Sequence, residues 1–316
     1  MLTLLKLLKD GRFHSGQALG AALGISRSAV WKQLQRLESD LKLSIYKVRG
    51  RGYQLASPLE LLEQELLVDS PYPAFIYESL DSTNAEALRV VASEEMLAPF
   101  LILAEQQSAG RGRRGRHWIS PFAENIYYSL VLRVDGGMRQ LEGLSLIVGL
   151  AVMSSLHEFG VNDAGLKWPN DVLVANRKVA GILLELVGDP ADVCHVVIGI
   201  GINVNMIAAS NVDQAWTSVR LETGRTVSRN ELIIELGRKL QGYLIRHEAE
   251  GFAANQAEWE SNHLWQGREV TLIAGTHTVD GVVIGVDRQG GLRLNVAGQE
   301  KIFSGGELSL RLRHDS

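Results

Sequence analysis

Residues 110–134 read GRGRRGRHWISPFAENIYYSLVLRV, and the reading of this stretch decides the fold. Its first seven residues hold four arginines and three glycines, a composition suited to a negative charge: a nucleic-acid backbone, a dinucleotide, or a small phosphate-bearing ligand. Gly110, Gly112 and Gly115 satisfy the G-x-G-x-x-G spacing. A dinucleotide turn also needs a strand just before the glycines and a helix just after them. Here the strand-like FLILAEQ ends several residues too early, Pro121 forbids an early helix, and residues 126–134 read as a strand. A Rossmann turn is therefore set aside. The stretch predicts a loop feeding a strand, kept mobile by glycine and by arginine repulsion until an anion orders it.

The rest of the chain helps to choose between nucleic acid and a small ligand. It has 316 residues and a formal net charge of −4. Residues 1–57 carry ten Lys/Arg against three Asp/Glu, a net +7, which leaves 22 against 33, a net −11, for the remainder. A basic front end on an acidic body places any nucleic-acid contact at the front. The arginine loop lies in the acidic body, which lacks the extended basic surface that duplex binding needs, so a small anion suits it better. The longest apolar run, LSLIVGLAVM, is shorter than a membrane span, and Lys6, Lys9 and Asp10 interrupt the Leu-rich start. A cytoplasmic protein without membrane contact is expected. Cys194 has no disulfide partner and stands in the strand-like VCHVVIGIG, where a buried structural role is expected.

In the front end, a short helix over 4–8 precedes one starting near Ser15, with Leu19 and Leu23 on one face. Gly24 ends it, Ile25 plugs the turn, and Ser26 caps a helix from Arg27 to about Ser39. Val30, Leu34, Leu37 and Leu41 form the inward stripe of that helix. SIYKVRGRGYQL then supplies two strands about Gly50, Arg51 and Gly52, so the unit reads as a winged helix-turn-helix with a basic wing. Base-edge contacts are assigned to Arg27, Ser28 and Lys32, and phosphate contacts to Arg49 and Arg51. A docking module with a merely solvated basic face is the competing reading.

LASPLELLEQELL predicts a helix started by Pro58 that joins this unit to the body. Residues 79–84 form a strand-to-helix turn rich in hydroxyl and amide groups, with a helix from Ala85; it is either a plain cap or the rim of a polar pocket. In GLKWPNDVLVANRKVAGILLELVG, a turn at Pro169, Asn170 and Asp171 precedes a hairpin turning at Asn176 and Arg177. Lys178 then opens an apolar strand, where it either snorkels to water or faces an anion. Gly199 and Gly201 in VVIGIGINVNM leave room for a ligand against the sheet. From about Gln266, five short strands with Gly-rich turns predict a small β-barrel.

Taken together, DSTN (81–84), GRGRRGR with the following W, SP and N (110–125), KWPNDV (167–172), KVAGIL (178–183) and GIGINVN (199–205) resemble the biotin protein ligases. With the winged helix in front, the chain is similar to the bifunctional bacterial ligases that also repress a biotin operon. The resemblance implies an α/β (α+β) protein: a winged helix-turn-helix at 1–60, a mixed-sheet ligase catalytic domain at 61–265 and an SH3-like β domain at 266–316. It implies ATP-dependent adenylation of biotin, with Mg²⁺ on the phosphates, and transfer of biotin to a lysine of biotin carboxyl carrier protein. Ser82, Thr83, Asn84 and Gln107 would meet the biotin ureido group, and Gly199 would floor the site. Arg111, Gly112 and Arg113 would close over the adenylate, and Lys178 and Arg113 would offset the charge that builds up in the reaction. Asp171 is assigned to the metal or acceptor-lysine side, Trp216 to adenine and Arg311 to ATP or the carrier, while His117 has no role. Operator DNA and a homodimer formed with the adenylate are the further partners implied. A transcription factor that only senses the ligand predicts no turnover, and a lipoate ligase on the related fold predicts a different acid.

Overall fold

The computed structural model describes residues 2–57, 59–93, 96–135, 137–189, 191, 193–209, 212, 214–304 and 308–313. The front end is α1 (Leu2–Leu8), α2 (Gly16–Leu23), α3 (Arg27–Asp40), β1 (Ile45–Val48) and β2 (Gly52–Leu55). Its helix ends follow the local chemistry. Ser15 Oγ accepts from Ala18 N–H and Ser26 Oγ from Ala29 N–H, while Gly24 closes α2 in the left-handed region at φ 66°. Leu4, Leu8, Leu19, Val30, Leu34 and Leu37 form its core, which extends into the body through Phe122 and Ala123.

The expected linker helix is absent among the described residues. Pro58 lies outside them, and only Gln64–Leu66 makes a single 3-10 turn. Side chains from the body take the place of helical backbone bonds. Leu62 N–H donates to Glu105 at 2.6 Å, Glu63 N–H donates to Asn230 at 3.2 Å, and the Leu61 carbonyl accepts from Asn230 at 3.0 Å. Leu61 packs into the front-end core and Leu62 into the main one, so this extended segment joins the two.

The body is built on β3 (Ala74–Tyr77), β4 (Phe100–Ala104), β5 (Ile126–Val134), β6 (Gly165–Lys167), β7 (Asp171–Val174), β8 (Arg177–Gly188) and β9 (Cys194–Ile202). They form one mixed sheet ordered β3-β4-β5-β9-β8-β7-β6, in which only β3 and β4 pair parallel. Alternation along the strands assigns the faces. Leu101, Leu103, Leu130, Ile198 and Ile200 join the main core, whereas Phe100, Ile102, Val131 and Val197 face the opposite way. On the main-core side lie α5 (Leu144–Glu158) and α7 (Arg229–Glu250), after the short α6 (Val219–Thr223). On the other side lies α4 (Thr83–Ser93), which begins two residues earlier than the sequence predicts. The helical stretch Arg139–Glu158 is long and apolar enough to cross a membrane by length and composition; here α5 within it is the buried core helix. Cys194 is buried, as expected.

The β7–β8 hairpin turns at Ala175 and Asn176, both at positive φ, one residue before the predicted turn. After α8 (Gln256–Ser261) come β10 (Glu269–Ala274), β11 (His277–Val286), β12 (Leu292–Val296), β13 (Gln299–Phe303) and β14 (Leu308–Leu312). They form the small C-terminal β unit, an antiparallel sheet ordered β13-β12-β11-β10-β14 with a register shift between Val283 and Gly285. Glu307, the first residue of the predicted last strand, lies outside the described residues.

Candidate active site

Pairing of β5 with β9 sets Ser129 opposite Gly199 and Tyr127 opposite Gly201, on the face that α4 covers only in part. Both glycines line a cavity above the sheet, and their missing side chains also make room for two neighbouring residues. A Cβ at Gly199 would lie 2.3 Å from Asn84 Oδ1, and one at Gly201 would lie 2.5 Å from the Trp118 ring. Their lack of side chains seats Asn84 and Trp118 against the sheet, and these two residues help to wall the cavity above it.

That cavity, of about 460 Å³, is lined by Ser82, Thr83, Asn84 and Gln107 on one side. Arg111, Gly112 and Arg113 line another, and Lys178 and Gly199 complete the residues predicted for it. Its polar end is neutral and tightly bonded. Gln107 Oε1 accepts from Thr83 N–H at 2.8 Å, and Gln107 Nε2 donates to Ser120 at 3.0 Å. Asn84 Nδ2 donates to Glu185 at 2.8 Å, while Asn84 Oδ1 accepts from Ser129 at 2.6 Å. Just outside, Arg89 forks onto Asp81 at 2.8 and 3.0 Å; that guanidinium holds the Asp81 carboxyl low, at about 2.

The arginine loop is folded back on itself. Arg111 bridges His117, Gly112 N–H donates to the Arg116 carbonyl at 2.8 Å, and Arg114 adopts φ 59°. Arg113 donates to Asn170 Oδ1 at 2.8 Å and to the Leu308 carbonyl at 3.1 Å, so the loop spans from the catalytic sheet to the C-terminal unit. Arg111 pairs with Glu185 at 2.9 Å.

A second cavity, of about 640 Å³, shares Gly112, Arg113, Trp118, Asn170 and Lys178 with the first. Among the described residues, five cations, Arg113, Arg114, Arg116, Lys167 and Lys178, line it against one carboxylate, Asp171. Lys178 Nζ lies 2.7 Å from Asp171 Oδ1, and Lys167 lies 3.7 Å from Oδ2. Burial pushes the Asp171 carboxyl up, but Lys178 and then Lys167 outweigh it and keep the group below the ordinary carboxylate range. Burial pushes the Lys167 ammonium down, against the pull of Asp171. The alternatives for Lys178 thus resolve in favour of an anion partner. Among the described residues, no group of three or more His, Cys, Asp or Glu side chains could hold a metal.

Trp216 stands apart from the first cavity. It bridges Lys178 and lines a third, smaller hollow with His117, Trp118 and Met206. Asn211 and Asp213 of the same segment lie outside the described residues. Arg311 sits on β14, opposite Thr271. Sequence reasoning gave no role to Ser129, Glu185, Trp118 or Lys167. Ser129 and Glu185 could have been found as the polar interruptions of the runs IYYSLVL and GILLELV.

Residues 76–203 match the Biotin/lipoate A/B protein ligase family, residues 1–54 an HTH domain, and residues 266–311 the Biotin protein ligase C terminal domain. The bifunctional ligase/repressor BirA of Salmonella typhimurium is 39% identical over 98% of this chain and 97% of its own length, and that of Escherichia coli matches equally. The chain belongs to the family of bifunctional biotin ligase/repressors. Among solved structures, the biotin protein ligase from Aquifex aeolicus in complex with biotin and ATP superposes with a TM-score of 0.66 at 29% identity, covering 76% of this chain and 99% of that one.

A biotin ligase/repressor needs a second functional surface, and it lies at the front end. Arg27, Ser28 and Lys32 are exposed on the first turns of α3, and Arg49 and Arg51 are exposed at the wing tip. Arg51 lies 4.2 Å over the Phe13 ring, which gives that guanidinium a fixed seat. The charge pattern did not single out Trp31, 44% exposed on the same helix between Ser28 and Lys32.

Proposed function

We propose that this chain joins biotin and ATP into biotinyl-adenylate where its two cavities meet, transfers biotin to a lysine of biotin carboxyl carrier protein, and represses transcription as an adenylate-bound homodimer. The observation that carries this reading is the shared wall. The neutral, hydrogen-bonding end of the first cavity suits an uncharged urea, the cation-rich second cavity suits a polyphosphate, and Lys178 and Arg113 border both.

In the first step a biotin carboxylate oxygen attacks the α-phosphorus and pyrophosphate leaves. Two anions converge, so the charge of Lys178 and Arg113 counts most in the transition state. Ser82, Thr83 and Gln107 hold the ureido end, and Arg111 and Gly112 cover the product and exclude water, which would hydrolyse the mixed anhydride. In the second step the carrier lysine attacks the acyl carbon and AMP leaves. Asp171 lies beside the reacting centre to orient that amine, and Trp216 lies on the adenine side. Mg²⁺ fits as a companion of the ATP phosphates, because Asp171, the only carboxylate in the cationic cavity among the described residues, is already neutralised by two lysines. The reading divides the chain at 1–60, 61–265 and 266–316 and places it in the cytoplasm, with Arg27, Ser28, Lys32, Arg49 and Arg51 on operator DNA.

Lys178→Ala tests the chemistry. Pyrophosphate release with saturating biotin, ATP and Mg²⁺ is expected to fall about 10²-fold or more, with an unchanged unfolding midpoint. Release at the wild-type rate would remove Lys178 from the mechanism.

A further inference from the structure

Glu185 lines neither of the two adjoining cavities, yet it joins the lid to the polar end of the first one. Its Oε2 accepts from Arg111 at 2.9 Å and from Asn84 Nδ2 at 2.8 Å. A carboxylate only accepts, so it fixes which way the Asn84 amide faces. With Nδ2 committed to Glu185 and to the Leu183 carbonyl at 3.3 Å, Oδ1 is turned to Ser129. Ser129 Oγ lies 2.6 Å from Asn84 Oδ1 and 2.8 Å from Thr83 Oγ1, and has one proton to give. An amide oxygen cannot return a proton, so the Ser129 proton goes to Asn84. The Thr83 proton is then held by acceptors on the protein side, Ser129 Oγ or Gln107 Oε1 at 3.1 Å. With its proton held there, Thr83 Oγ1 can only accept from a group in the cavity that Thr83 lines. Ser129 is fully buried and Thr83 and Asn84 nearly so, which makes a reversed, mismatched arrangement expensive.

We propose that Glu185 is a positioning residue that sets the hydrogen-bond polarity of the urea end of the site, presenting Thr83 as the acceptor for a ureido N–H. The inference rests on the biotin-ligase reading above. Glu185 acts through Asn84 and Ser129 and touches no substrate. In Glu185→Gln a neutral amide oxygen accepts more weakly from both Arg111 and Asn84, so the hold on the Asn84 amide is loosened.

The test compares the full-length wild type with Glu185→Gln, Glu185→Asp, Asn84→Ala and the Glu185→Gln/Asn84→Ala pair, measuring steady-state adenylate formation, calorimetric biotin binding and thermal unfolding. Glu185→Gln is expected to raise the biotin KM and Kd roughly tenfold while the ATP KM stays within about twofold, because its partners Asn84 and Arg111 line the first cavity and not the cationic one. Glu185→Asp, which keeps the charge, should recover part of the loss. The double variant should bind biotin no worse than Asn84→Ala alone, since both changes break one chain. A Glu185→Gln biotin KM at the wild-type value, equal losses for biotin and ATP, or additive losses in the double variant would each overturn the inference. A wild type that forms no biotinyl-adenylate would instead overturn the ligase reading, and this inference with it.

Discussion

At positions 199 and 201 a methyl group has nowhere to go, because Asn84 and Trp118 already occupy the space above them. Gly199→Ala should therefore displace Asn84 and weaken biotin binding by about tenfold, a small-to-large cost of ~1–3 kcal/mol. Calorimetric titration checks it, and in an Asn84→Ala background the same change should cost much less; an equal cost in both backgrounds would point to a direct clash with ligand instead. The sequence made these glycines legible as special, but not their reason. What a glycine makes room for depends on α4 and the 110–120 loop arriving over the sheet, and neither is near 199 in the chain. The same holds for Glu185 and Ser129, whose meaning appears only once β8, β5 and α4 are side by side.

At the scale of elements, the segments with complete local signals were legible. Ser15, Gly24 and Ser26 punctuate the front-end helices, and strand β5 spans the residues predicted for it. The linker misled because Leu-rich spacing mimics a helix, whereas its backbone is held by tertiary partners. Central among these is Arg229, fully buried, which lies 2.7 Å from Glu105 and donates to the Asn125 carbonyl at 3.1 Å. Removing one partner of such a pair strands the other, so Arg229→Met is expected to destabilise the chain by ~3–5 kcal/mol in urea unfolding; a loss below ~1 kcal/mol would show that the pair is dispensable. His263, stacked on Trp259 at 4.7 Å where the chain leaving α8 meets β6, is held by burial at about 4. Between pH 6.5 and 4 the unfolded chain binds this proton and the folded chain does not. Stability from this group is therefore complete above pH 6.5 and declines as pH falls, by up to about 1.4 kcal/mol per unit. His263→Phe should flatten that slope, and an unchanged slope would assign the acid sensitivity elsewhere.

For the whole molecule, the split of charge between a basic front end and an acidic body was the most informative sequence property, and it separates the two surfaces. Arg51→Ala should lower the salt dependence of duplex-DNA binding by about one unit of slope without affecting adenylate formation. The extended linker gives the two surfaces a physical connection. Leu62 N–H is held by Glu105, two residues before Gln107 at the cavity rim, and Phe122 and Ala123, just beyond Ser120, belong to the front-end core. If ligand and DNA are coupled through it, each must tighten the other by the same factor, which paired titrations can compare. The central claim is that the cavity pair joins biotin to ATP. Incubation of the chain with ATP, Mg²⁺, a carrier domain and either biotin or lipoate, followed by mass spectrometry, tests it most directly. Biotinyl-adenylate and a carrier heavier by one biotinyl group are expected with biotin alone; modification by lipoate, or no adenylate with either acid, would contradict the account.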